Sequence, residues 1–329
     1  MREMKSIHSF IDLFCGIGGF RIAAEALGWN CVYSCDIDKE AQRTYEANFG
    51  EKPTGDIKQV DENSIPDHDV LFAGFPCQPF SIIGSMNGMS DTRGTLFFDI
   101  ARILKTKQPS WFVLENVKQL VGNDKGKTLK RILSITRSLG YEVDWRILNA
   151  LDFGLPQKRE RIFIVGNNRK LPFQFPQGSY RMKPLSEILE ESVPHKYYAS
   201  ESMRKKRHSS HESKFYPSIW HENKAGHISS YPYSCALRAK ASYNYLLVNG
   251  ERRLTPREQL RLQGFPDWFV PISNDSGIRK QTGNAVAVPV VKEIVQQIIV
   301  AEESVNEYET SHKEKAASRA ALSPEPISS

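Results

Sequence analysis

One cysteine stands in a proline-flanked loop that could present a nucleophile. Cys77 lies between Pro76 and Pro79, directly after the short apolar run at residues 69–73. That run is partly β-branched, which predicts a buried strand whose carboxyl end delivers the thiol, and ligands of open α/β sheets bind at that edge. The prolines restrict the loop, which helps to aim a reactive group. The alternative is that Cys77 is a small buried apolar residue, as most free cysteines are.

A glycine-rich turn near the start of the chain could hold a nucleoside cofactor. The segment DLFCGIGGF at residues 12–20 follows a predicted strand, and Asp36 comes twenty residues after Gly16, where it could bind ribose hydroxyls. The dinucleotide fingerprint needs a third glycine at position 21, but the bulky Arg21 stands there. A cofactor without a diphosphate therefore fits best, and S-adenosylmethionine is the commonest. The alternative is an ordinary helix N-terminus.

These residues need a scaffold, and the first part of the chain predicts one of alternating strands and helices. Short apolar runs predict the strands, and apolar residues at helical spacing predict the helices. Strands are predicted at residues 9–14, 31–36, 69–73, 111–114 and 161–165, with a further one before Asp56. Helices are predicted at residues 20–27, 38–48, 96–105 and 128–139. This alternation implies an α/β fold with a mostly parallel sheet and helices on both faces.

The alternation stops at about residue 175, where several prolines mark a transition. The following segment has short mixed patterns and predicts a second, smaller domain. Apolar residues at helical spacing over residues 285–299 then predict a helix that returns to the first domain. We predict a first domain of residues 1–187 plus 282–302, a second of residues 188–281, and a disordered polar tail at residues 303–329.

The composition is that of a soluble globular protein. The 329 residues are 40% hydrophobic and 25% charged, which is enough for a large core. The sequence has no signal-peptide pattern and no apolar run that approaches the length of a membrane span, so we expect a cytoplasmic protein with no membrane partner. The five cysteines form no C-x-x-C pair, which indicates free thiols and no metal.

Positive charge is concentrated in one segment. The chain carries a net charge of +6, and residues 196–261 contain thirteen Lys and Arg against five Asp and Glu. Tyrosines, a tryptophan and four of the eight histidines are interleaved with these basic residues, and His195 lies beside them. Such a mixture fits a nucleic-acid surface about as well as it fits a solvated basic face.

Five motifs together carry a resemblance to a known family. They are the glycine turn, the Pro76-Cys77 loop, Glu115-Asn116-Val117, the QKRER run at residues 157–161 and the QTGN run at residues 281–284. With these motifs in this order, residues 7–300 closely resemble the DNA (cytosine-5) methyltransferases, above all the compact bacterial enzymes of restriction-modification systems. The resemblance implies a Rossmann-like sheet of the S-adenosylmethionine-dependent methyltransferases with a second, smaller DNA-recognition domain.

The resemblance assigns catalytic roles to four residues. The Cys77 thiolate would add to C6 of cytosine, because C5 alone is too poor a nucleophile to take a methyl group from a sulfonium. Glu115 would bind the exocyclic amine and share a proton with N3. Arg159 would hold the cytosine O2, and Arg161 would support the loop of Cys77 or Glu115.

The resemblance also implies which residues surround S-adenosyl-L-methionine and its product, S-adenosyl-L-homocysteine. Asp36 would take the ribose, while Phe14 and Ile37 would cover the two faces of the adenine. The full set is Phe14, Gly16, Ile17, Gly18, Gly19, Asp36, Ile37, Asp56, Ile57, Pro76, Leu96, Asn284 and Val286. Close relatives often carry tryptophan at position 37, so Ile37 is a departure that loses aromatic stacking on the adenine.

Double-stranded DNA is the expected partner, and the target cytosine must be flipped out because a stacked base cannot reach Cys77. Ser81 and Arg93 belong to a segment that resembles the family's active-site loop. Ala236-Leu237-Arg238 resembles the family's short recognition motif that precedes base contacts. Arg238 and Lys240 are candidates for binding guanine or phosphate, since arginine reads guanine in the major groove. We expect a monomer, with a cognate restriction endonuclease as a genetic and not a physical partner.

Three other functions remain open at this point. An RNA cytosine methyltransferase of related fold would share the Pro-Cys-Gln motif, but the long basic segment favours duplex DNA. A catalytically silent DNA-binding protein would not need Cys77, Glu115, Arg159 and the glycine turn together. A nicotinamide oxidoreductase is disfavoured by Arg21.

Overall fold

A computed structural model describes residues 8–76, 96–223 and 225–321 of the chain, with side chains as far as residue 304. Three residues of the predicted site, Cys77, Ser81 and Arg93, lie outside the described residues. The structure describes the chain on both sides of this gap, up to Pro76 and from Leu96 onward.

The main sheet comes from the first half of the chain. Its strands, with one short strand of a second sheet, are β1 (Ser9–Leu13), β2 (Asn30–Cys35), β3 (Val70–Gly74), β4 (Trp111–Val117), β5 (Glu142–Asn149), β6 (Gln157–Lys158) and β7 (Glu160–Asn167). The helices between them are α1 (Gly19–Glu25), α2 (Lys39–Phe49), α3 (Leu96–Lys107) and α4 (Lys127–Ser138). The four helices and the five strands predicted by residue range in this region are confirmed, within a few residues at each end.

The six strands of the main sheet lie in the order β2-β1-β3-β4-β7-β5. Strands β1 to β4 are parallel, so their carboxyl ends meet at one edge. Strand β7 is antiparallel to both of its neighbours, because a short connection joins it directly to β5 without a crossover helix. The sheet is therefore of the mostly parallel, Rossmann-like kind that the sequence predicts, with an antiparallel strand near one side.

The remaining elements follow a long irregular stretch. They are α5 (Glu201–Ser210), β8 (Ile219–Glu222), β9 (Ile228–Tyr231), β10 (Ser234–Cys235), β11 (Leu246–Val248), α6 (Pro256–Leu262), α7 (Asp275–Asn284) and α8 (Val288–Ala321). Strands β11, β8 and β9 form a small antiparallel sheet, while β10 pairs with β6. A separate apolar cluster, which includes Ile219, Leu237, Tyr245 and Leu246, packs this region.

Helices cover both faces of the main sheet, as the alternating pattern predicts. On one face Phe10 and Phe72 pack against α1 and α8, and on the other Ile11 and Leu71 pack against α3 and α4. Neighbouring strand residues thus enter opposite cores, as the pleat of a strand requires. One buried apolar layer on each face of the sheet therefore supports the strands whose carboxyl ends carry the predicted site.

Helix α8 brings the chain back to the first sheet, as predicted. Ile294, Val295 and Ile298 are fully buried there. Among the described residues, the stretch Asp275–Ser304 is apolar and long enough to cross a membrane by length and composition alone, but 56% of its most apolar window is buried in the fold, as in core helices of soluble proteins. The helix continues to Ala321, into the predicted disordered tail, where alanine, glutamate and lysine favour helix.

Candidate active site

The glycine turn follows β1, and it is closely packed at Gly18 but has free space at Gly16. Gly16 and Gly18 have φ angles of 55° and 84°, in the left-handed region that glycine adopts without strain. A Cβ atom at Gly18 would overlap the ring of Phe49, whereas one at Gly16 would have no atom within 4 Å. The backbone at Gly16 is therefore accessible to a ligand.

Asp36 fixes this turn at the carboxyl end of β2. The N–H of Gly16 donates to Asp36 Oδ2 at 2.7 Å, and the N–H of Asp38 donates to Oδ1 at 2.8 Å. Burial raises the pKa of Asp36, and these two N–H groups oppose the rise. A carboxylate oriented in this way, beside open backbone, can also accept hydrogen bonds from ribose hydroxyls.

The position that a dinucleotide site would give to glycine is filled by a side chain with other partners. Arg21 Nε lies 2.6 Å from Glu25, and Arg21 Nη1 lies 2.7 Å from Glu51. Its guanidinium also covers the ring of Phe49 at 4.5 Å. Arg21 therefore ties α1 to the end of α2, which agrees with a cofactor that lacks a pyrophosphate.

The other predicted cofactor residues differ in depth. Ile37 is 68% exposed beside Asp36, whereas the side chains of Ile17 and Ile57 are buried in the core. Asp56 accepts the N–H of Lys58 at 3.1 Å at the start of a short 3₁₀ turn. The predicted strand before Asp56 is absent from the described residues, where only a single bridge pairs Thr54 with Cys35. Phe14 and Leu96 are half-buried, Pro76 and Asn284 are exposed, and Val286 is buried.

Glu115 lies at the carboxyl end of β4, directly opposite Gly74 of β3. It is 8% exposed, and its Oε1 pairs with Arg161 Nε at 3.1 Å. A Cβ atom at Gly74 would lie 3.9 Å from both Glu115 Oε2 and Val286 Cγ1. Since Cys77 follows Gly74 by three residues, two parallel strands bring the predicted acid to the segment that leads to the predicted nucleophile.

Burial and nearby charges act on Glu115, and its neighbour Asn116 holds the segment before Pro76. Burial raises the pKa of Glu115, and the charges of Arg161 and then Arg159 oppose the rise. The side chain of Asn116 donates to the carbonyl of Phe75 at 2.8 Å. Asn116 thus ties the end of β4 to the residue before Pro76, a positioning contact that the motif alone does not reveal.

The two arginines of the QKRER run have different partners. Arg159 is 2% exposed and donates to the carbonyls of Leu237 (3.2 Å), Gly283 (3.2 Å) and Ala285 (2.6 Å). Burial, with the charge of Arg161, lowers the pKa of Arg159 to about 9. Arg159 lies in the break between β6 and β7. Arg161 is the one that pairs with Glu115.

A buried polar junction connects this site to the segment that carries Arg238. We call it the recognition junction, and it consists of Gln157, Arg159, Leu237, Gln263 and Gly283. The Gln157 side chain accepts the N–H of Leu237 at 2.9 Å and donates to Gln263 at 3.2 Å. A Cβ atom at Gly283 would lie 2.7 Å from the backbone carbon of Arg238. The chain at Leu237 and Arg238 is therefore held by two distant segments, the QKRER run and the end of α7.

Arg238 and Lys240 lie just beyond the junction, in the connection between β10 and β11. Both are exposed, and the Arg238 guanidinium lies 4.8 Å above the ring of Tyr245. Within the described ranges no group of three His, Cys, Asp or Glu side chains could hold a metal ion. The polar groups of the site are thus the buried Glu115, the carboxylate of Asp36 fixed by two N–H groups, and the exposed cations Arg238 and Lys240.

A buried carboxylate lies beneath the glycine turn. Asp12 is fully buried on β1, and among the described residues neither of its oxygens accepts a hydrogen bond of normal geometry. Burial, with the charge of Asp36, raises the pKa of Asp12 well above its usual value. The folded state therefore binds this proton more tightly than the unfolded chain does.

We expect Asp12→Asn to remove part of the pH dependence of stability. Wild-type stability should fall as the pH rises above the unfolded pKa, near 3.9, until the raised folded pKa is passed, by up to about 1.4 kcal/mol per pH unit. Asparagine cannot ionise, so the stability of the variant relative to the wild type should increase over the same pH range. Urea unfolding at pH 5 and pH 8 measures the difference, and a constant difference would exclude Asp12 as the titrating group.

Comparison with known proteins agrees with this arrangement. The family profile of the C-5 cytosine-specific DNA methylases matches residues 8–300. The chain is 55% identical to the type II methyltransferase M.NgoBI of Neisseria gonorrhoeae, over 87% of this chain and 91% of that protein. It is 54% identical to the type II methyltransferase M.HaeII of Haemophilus aegyptius, over 91% of this chain and 94% of that protein.

Solved structures share the fold at low sequence identity. An Entamoeba histolytica methyltransferase superposes with a TM-score of 0.69 at 18% identity, covering 89% of this chain and 98% of that one. A putative DNA modification methyltransferase from an E. coli prophage superposes with a TM-score of 0.65 at 21% identity, covering 89% and 99%. With a family match over nearly all of the described catalytic scaffold, the chain belongs to the C-5 cytosine-specific DNA methylase family.

Proposed function

We propose that the protein transfers a methyl group from S-adenosylmethionine to C5 of a cytosine flipped out of a short, specific double-stranded DNA sequence, through a covalent bond between Cys77 and C6. The observation that carries the proposal is the position of Glu115, buried opposite Gly74 and paired with Arg161. A proton donor for the ring thus lies next to the segment that leads to Cys77. The relatives named as type II methyltransferases support DNA as the substrate.

The cofactor residues fit an adenosyl group. S-Adenosylmethionine supplies an electrophilic methyl group and leaves as S-adenosylhomocysteine. Asp36 would accept hydrogen bonds from the ribose, because its carboxylate is fixed beside the accessible backbone of Gly16. The exposed Ile37 would cover one face of the adenine and the half-buried Phe14 the other. Asp56, with the backbone at Ile57, would meet the adenine edge.

Glu115 would activate the cytosine ring for attack. With its pKa raised by burial, it would place a proton on N3 while its other oxygen accepts from the exocyclic amine. The ring then accepts the Cys77 thiolate at C6, C5 takes the methyl group, the C5 proton leaves to a base, and Cys77 is expelled. Arg161, which pairs with Glu115, would support the acid. We propose that Arg159, which donates to three backbone carbonyls, holds the recognition junction and not the cytosine O2.

The DNA would bind along the basic segment. Flipping a base costs a few kcal/mol, which contacts to the duplex must offset. Ser81 and Arg93 would contribute from the active-site loop, and Arg238 and Lys240 from the recognition segment. We further propose a monomer that acts in the cytoplasm, where the chromosome lies, and protects its sites from a cognate restriction endonuclease.

The direct test is methyl transfer from labelled S-adenosylmethionine to duplex DNA, with digestion to nucleosides and bisulfite sequencing of the product. We expect 5-methylcytosine at one cytosine of a short recurring sequence. Label in transfer RNA but not in DNA would favour the alternative RNA substrate. Label on N4 of cytosine, or on adenine, would overturn the proposed chemistry.

Gly283→Ala should disturb the recognition junction more than the cofactor pocket. Its new Cβ would lie 2.7 and 2.8 Å from backbone atoms of Arg238 and Ala239, so the recognition segment must move away from α7. Overpacking of this kind costs about 1–3 kcal/mol. We expect a lower urea midpoint and a KM for DNA that rises more than the KM for S-adenosylmethionine.

Gly122→Ala is the matched control for this substitution. Gly122 is exposed, has no atom within 4 Å of the position of a Cβ, and has a φ of −94°. It should leave both KM values unchanged. Equal changes in the two KM values for Gly283→Ala would contradict a specific role of the junction in placing the recognition segment.

A further inference from the structure

Two polar side chains flank one tyrosine ring in the recognition segment. The Arg238 guanidinium lies 4.8 Å above the ring of Tyr245, and the backbone N–H of Arg238 donates to the Tyr245 hydroxyl at 3.0 Å. The His221 ring stands edge-on to the same tyrosine, with centroids 6.4 Å apart and planes at 90°. Tyr245 itself is buried. It is therefore a fixed platform that positions both side chains.

The positions of these side chains are set by the backbone as well as by the ring. His221 lies in β8 and pairs in register with Leu246 of β11, the residue after Tyr245. Arg238 follows Leu237, whose carbonyl and N–H are both bound by the recognition junction. Groups held on strands and buried contacts need less ordering when they bind a partner.

The polar edges of both side chains are available. Within the described part of the chain, neither the His221 imidazole nor the Arg238 guanidinium has a hydrogen-bond or ion-pair partner. Arg238 is exposed and His221 half-buried. Burial, followed by the charges of Arg238 and Arg207, lowers the pKa of His221. The lowered pKa favours the neutral imidazole, in which one nitrogen is a donor and the other an acceptor.

A buried cation completes the site from below. Arg207 is 2% exposed, and its Nη2 donates to Glu222 Oε2 at 2.7 Å and to the Asn244 carbonyl at 2.6 Å. Its Nε and Nη1 have no partner within the described residues. Glu222 is thus neutralised by Arg207, and the charges that act on His221 are those of Arg238 and Arg207, which suits a polyanion.

We propose that His221 reads a base pair of the recognition sequence close to a guanine read by Arg238. The inference rests on the proposed function, because it requires duplex DNA as the substrate. Arginine binds guanine O6 and N7 with two parallel hydrogen bonds, and a group with one donor and one acceptor can discriminate a neighbouring base edge. The distances to Tyr245 place the two side chains within about three base-pair steps of 3.4 Å.

A base contact and a phosphate contact predict different outcomes. Loss of a neutral base-reading group should cost about 5- to 150-fold in kcat/KM for the cognate sequence and reduce discrimination at one position. It should leave the salt dependence of binding unchanged, because no counterion is released by a neutral side chain. Loss of a phosphate-binding lysine should weaken all sequences alike and lower the salt slope by about one.

The experiment compares His221→Ala, His221→Gln and Lys240→Ala. Bisulfite sequencing first defines the site methylated by the wild type. Methyl-transfer kcat/KM is then measured on duplexes with every single base-pair change in that site, and binding is measured over a range of salt. We expect His221→Ala to flatten the preference at one position, and His221→Gln, which keeps a donor and an acceptor, to restore part of it.

The outcomes that overturn the inference are distinct. An unchanged preference profile in His221→Ala, or an equal loss on every duplex, would exclude base reading, as would a changed salt slope. Lys240→Ala should show that uniform loss and the lower slope. A wild-type protein that methylates no duplex would overturn the proposed function and this inference with it, whereas an active wild type with an unaltered His221→Ala profile would overturn the inference alone.

Discussion

Replacing Glu115 with glutamine is expected to lower the rate of methyl transfer by about 10²- to 10⁴-fold, the usual contribution of a positioned acid. Glutamine has nearly the same shape, so the packing opposite Gly74 should survive. It cannot place a proton on N3, however, and its amide competes with the exocyclic amine as a donor. Single-turnover transfer with labelled cofactor, at saturating DNA, measures this chemical step without interference from product release.

The substitution also leaves Arg161 without its carboxylate partner, so folding must be checked separately from catalysis. The urea midpoint of Glu115→Gln, together with its affinities for S-adenosylhomocysteine and DNA, tells the two effects apart. Glu142→Gln, on the exposed first residue of β5, is the matched control and should keep the wild-type rate. A Glu115→Gln protein with near-wild-type single-turnover rates would show that ring activation does not depend on this carboxyl group.

The sequence predicts the part of the fold that depends on local patterns. Strands β1, β3 and β4 are apolar runs, because both of their faces are buried. Strand β5 escapes prediction because it lies at the sheet edge, where half of its residues are exposed and only Leu148 is buried. The antiparallel direction of β7 is equally hidden, since it depends on the length of a connection and not on the composition of the strand.

The site follows the same rule. Once the strands are parallel, Asp36, Gly74 and Glu115 must meet at one edge, and the sequence alone is enough to place them there. The partners of Arg159 lie 78, 124 and 126 residues away, and no local pattern announces carbonyl acceptors at that distance. The role that we propose for His221 is not predicted from the sequence for another reason. His221 stands on a short strand, and a histidine that packs on Tyr245 there resembles any half-buried aromatic pair.

Cys77→Ser is expected to abolish methyl transfer while leaving DNA binding largely intact. A serine hydroxyl is far less acidic than a thiol and is a poor nucleophile without a strong base, whereas a few per cent of an ordinary thiol is already thiolate at neutral pH. Transfer from labelled S-adenosylmethionine and gel-shift affinity for duplex DNA measure the two properties. Turnover that persists in the variant would remove the covalent step from the mechanism.

A duplex with 5-fluorocytosine at the target position tests the same bond directly. After methyl transfer, C5 carries fluorine where the departing proton would be, and fluorine cannot leave as a cation, so Cys77 cannot be expelled. The wild type should therefore form a denaturation-resistant adduct that requires the cofactor, and Cys77→Ser should form none. Cys235→Ser, a change at a half-buried cysteine in β10, should still form it. An adduct in Cys77→Ser, or none in the wild type, would place the nucleophile elsewhere than at the loop between Pro76 and Pro79.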